Sequence, residues 1–152
     1  TSYAPLFARK NATNWNPNLI YFDNERAYPT CSYYVQQMFG QSSGDYFYGD
    51  CVKFEGEKTH LQEQSVVLDS KGRKLYVKLC NDSAEPRQAT VNLKRFKSLK
   101  KLATKTTLSG QPDQENNFDV QPIAPVKEQV KVQKEMKIEV APYSFVMYTI
   151  SL

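Results

Sequence analysis

From residue 65 onward the sequence is a succession of short runs with alternating or β-branched apolar residues, each closed by turn chemistry. The runs cover 65–69, 74–81, 88–93, 99–108, 126–132, 136–140 and 143–150. Alternation with a period of two places every second side chain on one face, and about seven such strands are what a β-sandwich requires. Lys74-Leu75-Tyr76-Val77-Lys78-Leu79 shows the pattern most clearly. Asp69-Ser70-Lys71-Gly72 before it reads as a hairpin turn in which the glycine takes the positive φ. Asn81-Asp82-Ser83 and Ser109-Gly110-Gln111-Pro112-Asp113 are further breaks, the second opening a long polar loop through Asp119. The expectation is a mainly β domain, an antiparallel, jelly-roll-like sandwich with Leu75, Val77, Leu79, Val91, Leu93, Val146 and Tyr148 buried.

The first third of the chain has a different character. Twelve of the eighteen Tyr and Phe residues and the only Trp lie in residues 1–54, and the whole net charge of +4 lies after them. An apolar run at 3–8, a polar stretch at 9–18 and a second apolar run at 19–22 lead into a predicted helix over 32–39. Thr30 or Ser32 can cap that helix, Pro29 suits its start, and Gly40 its end. Tyr34, Val35, Met38 and Phe39 form its apolar face. Strand, loop and helix make half of a βα unit. The division this predicts is 1–45 and 46–152.

Several chemistries find no support. Cys31, Cys51 and Cys80 are widely spaced and His60 is the only histidine, which argues against a metal site and reads the cysteines as small buried hydrophobes, with one disulfide left open. No apolar run reaches the roughly 20 residues of a membrane span. Asp23 and Glu25 are an acid pair at the end of an apolar run, and solvated loop acids are the commoner arrangement. Lys94, Arg95, Lys97, Lys100, Lys101 and Lys105 alternate with Phe96, Leu99, Leu102 and Leu108, as in a strand with a solvated, edge-protecting face. Asn11-Ala12-Thr13 and Asn81-Asp82-Ser83 match the glycosylation sequon, a pattern common by chance that decides nothing.

Three strings together resemble the family 51 glycoside hydrolases, the α-L-arabinofuranosidases. Tyr3-Ala4-Pro5-Leu6-Phe7, the string from Trp15 to Asn24, and the string from Ser32 to Phe39 are similar to the close of that family's (β/α)₈ barrel. Asn116-Asn117-Phe118-Asp119, Pro122, Pro125-Val126 and the string from Ala141 to Phe145 resemble its C-terminal sandwich. The resemblance implies a retaining enzyme that removes terminal arabinofuranosyl groups from arabinan and arabinoxylan with two glutamates on earlier barrel strands. A full barrel needs about 250 residues, so residues 1–45 read as the strand-loop-helix remnant of one. No catalytic residue is assigned in this chain. Trp15, Asn16 and Asn18 are the candidates for lining the sugar pocket, Asn18 standing where the family's string would carry aspartate.

The resulting expectation is the non-catalytic C-terminal part of an α-L-arabinofuranosidase, with the sandwich supporting the barrel. A stand-alone carbohydrate-binding or adhesion sandwich is the alternative, using Trp15 and nearby tyrosines as a stacking platform. The expected partner is an arabinose-containing polysaccharide or oligosaccharide, with neither cofactor, nucleic acid nor membrane. The compartment is open, the periplasm or exterior being favoured over the cytoplasm. The apolar residues of 1–45 are expected either to fold back on the sandwich or to pair with the same segment of a second copy.

Overall fold

The computed structural model of the chain describes residues 3–56 and 62–152. A small sheet comes first, from β1 (Phe7–Arg9), β2 (Ile20–Phe22) and β3 (Ala27–Pro29), followed by helix α1 (Cys31–Gly40). Nine strands follow: β4 (Tyr46–Phe47), β5 (Val52–Phe54), β6 (Gln62–Asp69), β7 (Lys74–Asn81), β8 (Arg87–Asn92), β9 (Leu102–Ser109), β10 (Val126–Lys131), β11 (Glu135–Val140) and β12 (Ser144–Ser151). Six form one sheet in the order β10-β9-β12-β7-β6-β4, and three form a second in the order β11-β8-β5. Every pairing in these two sheets is antiparallel. No helix among the described residues is long and apolar enough to cross a membrane.

Alternation explains how the sheets stack. Leu75, Val77 and Leu79 of β7 and Val146, Tyr148 and Ile150 of β12 point inward, where they meet Ala89 and Val91 of β8 and Met136, Ile138 and Val140 of β11. Burial pushes the Tyr148 hydroxyl up to about 12. All seven residues expected in the core are buried. The intervening residues of the large sheet, Tyr76, Leu108, Phe145 and Met147, form a second apolar cluster on its outer face. Helix α1 covers that face with Tyr34, Val35 and Met38. The predicted apolar face of the helix therefore folds back onto the flat of the sheet, and Phe39, half exposed, stacks on Phe145 at 5.3 Å.

The helix ends differ from their predicted chemistry. Thr30 is the N-cap by backbone position, but its hydroxyl makes no cap bond and donates instead to the carbonyls of Asn18 and Leu19, each at 3.0 Å. At the other end Ser42 closes the helix, its hydroxyl donating to Met38 O at 2.6 Å. Lys78 reaches up from the sheet and donates to Ser42 O at 2.8 Å. Its ammonium lies 5.2 Å from the Phe39 ring and 5.6 Å from that of Tyr76. Desolvation there holds the Lys78 pKa below the ordinary lysine value.

Three local expectations are corrected. In the β6–β7 turn the positive φ falls on Arg73, at 52°. A Cβ at Gly72 would lie 2.1 Å from Asp69 Oδ2, so a larger residue there would push aside the Asp69 carboxylate that accepts the Gly72 N–H at 2.8 Å. Leu102 is exposed while Ala103 points into the core, since the strand begins at Leu102 and its first residue projects beyond the helix-covered part of the outer face. Cys31 is exposed, Cys51 buried and Cys80 between the two, and all three are free. Asn81 itself is buried, with Nδ2 donating to the carbonyls of Glu85, Val140 and Ala141.

Two measurements probe this packing. Leu79→Ala is expected to cost about 2–5 kcal/mol in chemical denaturation, because the residue is fully buried between the sheets; a loss below roughly 0.5 kcal/mol would show that the inner face is not the core. For Lys78, the depressed folded pKa means that the unfolded chain holds the proton over a pH range where the folded chain does not. The native chain should therefore gain stability relative to Lys78→Met as pH rises toward the ordinary lysine value. A difference between the two that stays flat with pH would show that the Lys78 ammonium is not desolvated.

Candidate functional site

The small sheet is built on stacked aromatics. Tyr21 of β2 and Tyr28 of β3 stand opposite each other in register, with rings 5.3 Å apart and both buried. Lys10, just after β1, places its ammonium 4.7 Å from the Tyr21 ring centre. The Tyr28 hydroxyl beside it raises the Lys10 pKa. The β1–β2 connection then turns outward through Asn11, whose φ is 66°. The Trp15 N–H donates to the Thr13 hydroxyl at 3.1 Å, which sets the turn that presents the indole.

The sandwich contributes the facing wall through the loop between β9 and β10. Asn116, buried, donates from Nδ2 to Pro29 O at 3.0 Å and to Ile123 O at 2.8 Å, and its Oδ1 accepts the Ile123 N–H at 2.9 Å. One amide thus closes its own loop and fastens it to β3. Phe118 meets Tyr28 edge-on at 4.9 Å. Arg26 covers the other side of Phe118 at 4.6 Å and pairs with Asp119 at 3.4 Å.

Between these two walls and the first turn of α1 lies a cleft of about 380 Å³. Its lining includes Lys10, Trp15, Asn16, Tyr21, Gln114 and Glu115. Trp15 is 63% exposed, an open apolar face beside amide, ammonium and carboxylate groups, the mixture that a sugar ring with its apolar face and hydroxyl edge requires. Among the described residues Glu115 is the only carboxylate in the lining. Glycoside hydrolysis takes two carboxyl groups across the scissile bond, so the cleft has no acid–nucleophile pair of its own.

The three residues anticipated from sequence do not share a role. Trp15 and Asn16 line the cleft. Asn18 does not: it is fully buried, with its amide donating to Trp15 O at 2.5 Å and its backbone N–H donating to the Tyr21 hydroxyl at 3.2 Å. Its Oδ1 has no hydrogen-bond partner. Asn18 holds the loop that carries Trp15 and lies outside the cleft lining. The Tyr21 hydroxyl donates to Asn16 Oδ1, holding that amide in place. Asp23 serves a turn: the backbone N–H groups of Glu25 and Arg26 hold its carboxyl below the usual range, and it pairs with Arg26 at 3.3 Å. Lys10, Tyr21, Gln114 and Glu115 were not anticipated; only the Asn116–Asp119 string hinted that the distant loop mattered.

A family model described as the alpha-L-arabinofuranosidase C-terminal domain matches residues 1–144. The chain belongs to that family. It is 29% identical over 153 residues to alpha-L-arabinofuranosidase 1 of Arabidopsis thaliana, a match covering 95% of this chain and 22% of that protein. With a probable alpha-L-arabinofuranosidase A of Aspergillus flavus it shares 36% identity over 94 residues, 60% of this chain and 14% of the other. The chain therefore spans about a fifth or less of the length of these curated relatives. Its fold matches that of an arabinose-bound GH51 α-L-arabinofuranosidase with a TM-score of 0.87 at 23% identity, covering 99% of this chain and 24% of that one. An arabinose complex of the Thermotoga maritima α-L-arabinofuranosidase matches at 0.74 and 15% identity, over 89% of this chain and 32% of that one.

Asn116→Ala removes all three bonds that pin the loop to β3 and to itself. It should cost about 1–3 kcal/mol, because the partner groups are left buried and unpaired. Hydrogen exchange at Ile123 should accelerate in the variant; unchanged protection there would show that the loop is held by Phe118 and Arg26 alone.

Proposed function

We propose that this chain serves as the non-catalytic C-terminal part of an α-L-arabinofuranosidase that removes terminal arabinofuranosyl groups from arabinan and arabinoxylan. Residues 46–152 buttress the catalytic barrel, and residues 1–45 complete it and present Trp15 and Asn16 toward the substrate. The single observation that carries this reading is the composition of the cleft: a sugar-type surface of exposed indole and amides with one carboxylate, Glu115, where hydrolysis needs two. Exposed Leu6 and Phe7 beside β1 support an interface with further protein. A second copy of the same segment is the other occupant that could cover them.

The purified chain is expected to leave a nitrophenyl α-L-arabinofuranoside intact. In an enzyme that carries this chain, Trp15→Ala should lower kcat/KM by about tenfold, roughly 1.4 kcal/mol of transition-state stabilisation, without a change in melting temperature. Turnover by the isolated chain that disappears with Asp23→Asn would overturn the reading. Tight binding of arabino-oligosaccharides by the isolated chain would favour a stand-alone binding module instead.

A further inference from the structure

The charges of the sandwich are segregated along its strands. Where β7 begins and β12 finishes, Arg73, Lys74, Lys97, Lys100, Lys101 and Lys131 are all exposed. Backbone contacts gather most of them at one end: Leu152 N donates to Arg73 O, Lys100 N to Ser151 O and Val132 N to Lys101 O, each at 2.9 Å. Lys74 stands opposite Ser151 on one side and Asp69 on the other, and Lys131 opposite Leu102. Lys97 is tied in by Lys134, whose ammonium donates to Lys97 O at 3.2 Å. Among the described residues none of these six cations pairs with an Asp or Glu side chain, although Arg73 Nε donates to Leu152 O at 3.3 Å. At the opposite end, roughly 25 Å away at the rise of an eight-residue strand, the segments 81–87 and 109–125 carry Asp82, Glu85, Asp113, Glu115 and Asp119 against Arg87 alone.

Edge protection does not account for the basic end. Lysines along an exposed edge strand deter pairing with other chains, which explains Lys127 and Lys131 on β10 but not the five cations at strand ends and in connections. Unpaired like charges repel one another, so the cluster brings the fold no stability. The cluster also has a shaped floor. A hollow of about 400 Å³ lies between the β6–β7 turn and the segment after β8, lined by Leu68 and Phe96 with Arg73, Arg95 and Lys97 around them. Arg95 is already paired with Asp50 at 2.6 Å and Arg73 Nε donates to Leu152 O at 3.3 Å, so the apolar floor and the Lys97 ammonium, with the neighbouring lysines, are what suit a sugar ring that bears a carboxylate.

We propose that this basic end binds a carboxylated polysaccharide, a uronate-bearing glycan chain, as a tether remote from the Trp15 cleft. This rests on reading the chain as part of a glycan hydrolase, which favours a uronate over a nucleic acid. Electrostatic attraction would hold the acidic chain at one end of the sandwich while the cleft at the other engages neutral sugar.

The test is native affinity electrophoresis of the full chain in gels containing polygalacturonate or neutral arabinan, with duplex DNA titrated separately. Polygalacturonate should retard the native chain at low salt, with retardation largely lost by about 0.2 M as screening sets in. The triple variant Lys97→Glu/Lys100→Glu/Lys101→Glu should bind at least about tenfold more weakly. The corresponding Gln variant should fall between the two, and it decides the matter if the Glu variant melts early. Trp15→Ala should leave polygalacturonate retardation unchanged. Absence of retardation at low salt, equal retardation of native and substituted chains, or DNA binding as tight as polygalacturonate binding would each overturn the proposal. Hydrolysis of the nitrophenyl arabinofuranoside by an enzyme carrying the chain tests the earlier reading separately and is indifferent to these lysines.

Discussion

Burial of both faces of the central strands governs the structure. β7 and β12 are neighbours in the middle of the large sheet, and their residues are apolar on both sides, apart from Lys78, the terminal Lys74 and Asn81 of β7, and the Ser and Thr positions. A strand of that kind cannot present one face to water, as a typical sandwich strand does. The three-stranded sheet answers one side and α1 the other. Lys78, the cation on the covered outer face, is accommodated because the end of the helix offers the Ser42 carbonyl and two aromatic rings. The helix is thus a structural partner of the sandwich, although it comes from the segment that precedes it in sequence.

A second link joins the same two parts at the cleft. The β9–β10 loop belongs to the sandwich, yet its fixed points, Asn116 and Phe118, lie against Pro29 and Tyr28 of the small sheet. Tyr28 and its neighbour Tyr21 in turn support Lys10 and Asn16. The position of the Trp15 loop relative to the sandwich therefore depends on a short chain of contacts, each a specific hydrogen bond or ring contact. A sandwich of the same topology without Asn116 would have a loop but no wall.

Much of the sandwich was legible in the sequence because alternation is a local signal. The residues from Leu75 to Leu79 and from Val146 to Ile150 announce their inner face directly. The helix was legible for the same reason, with a period near four in place of two. What could not be read were features decided by partners distant in the chain. The exposure of Leu102 depends on where β9 begins and how far α1 extends. The contact that Gly72 makes is with the Asp69 carboxylate, and the positive φ of that turn belongs to Arg73. Trp15 and Asn16 could be singled out by composition and resemblance, but the burial of Asn18 beside them, and the approach of Gln114 and Glu115 from about a hundred residues away, leave no trace in local pattern.

The position of α1 also bears on how such a domain can move between proteins in evolution. A recombination boundary drawn at the natural-looking change of composition, between the aromatic-rich segment and the strand-rich one, would leave Tyr76, Leu108, Phe145 and Met147 bare and Lys78 without the helix end that receives it. The heritable piece is the helix together with the sandwich. A family model that runs from residue 1 to 144 without a break at that change follows the same unit. Shuffling that respected only the strands would deliver an aggregating sheet, so the architecture itself discourages this sandwich from being inherited without the end of the segment before it.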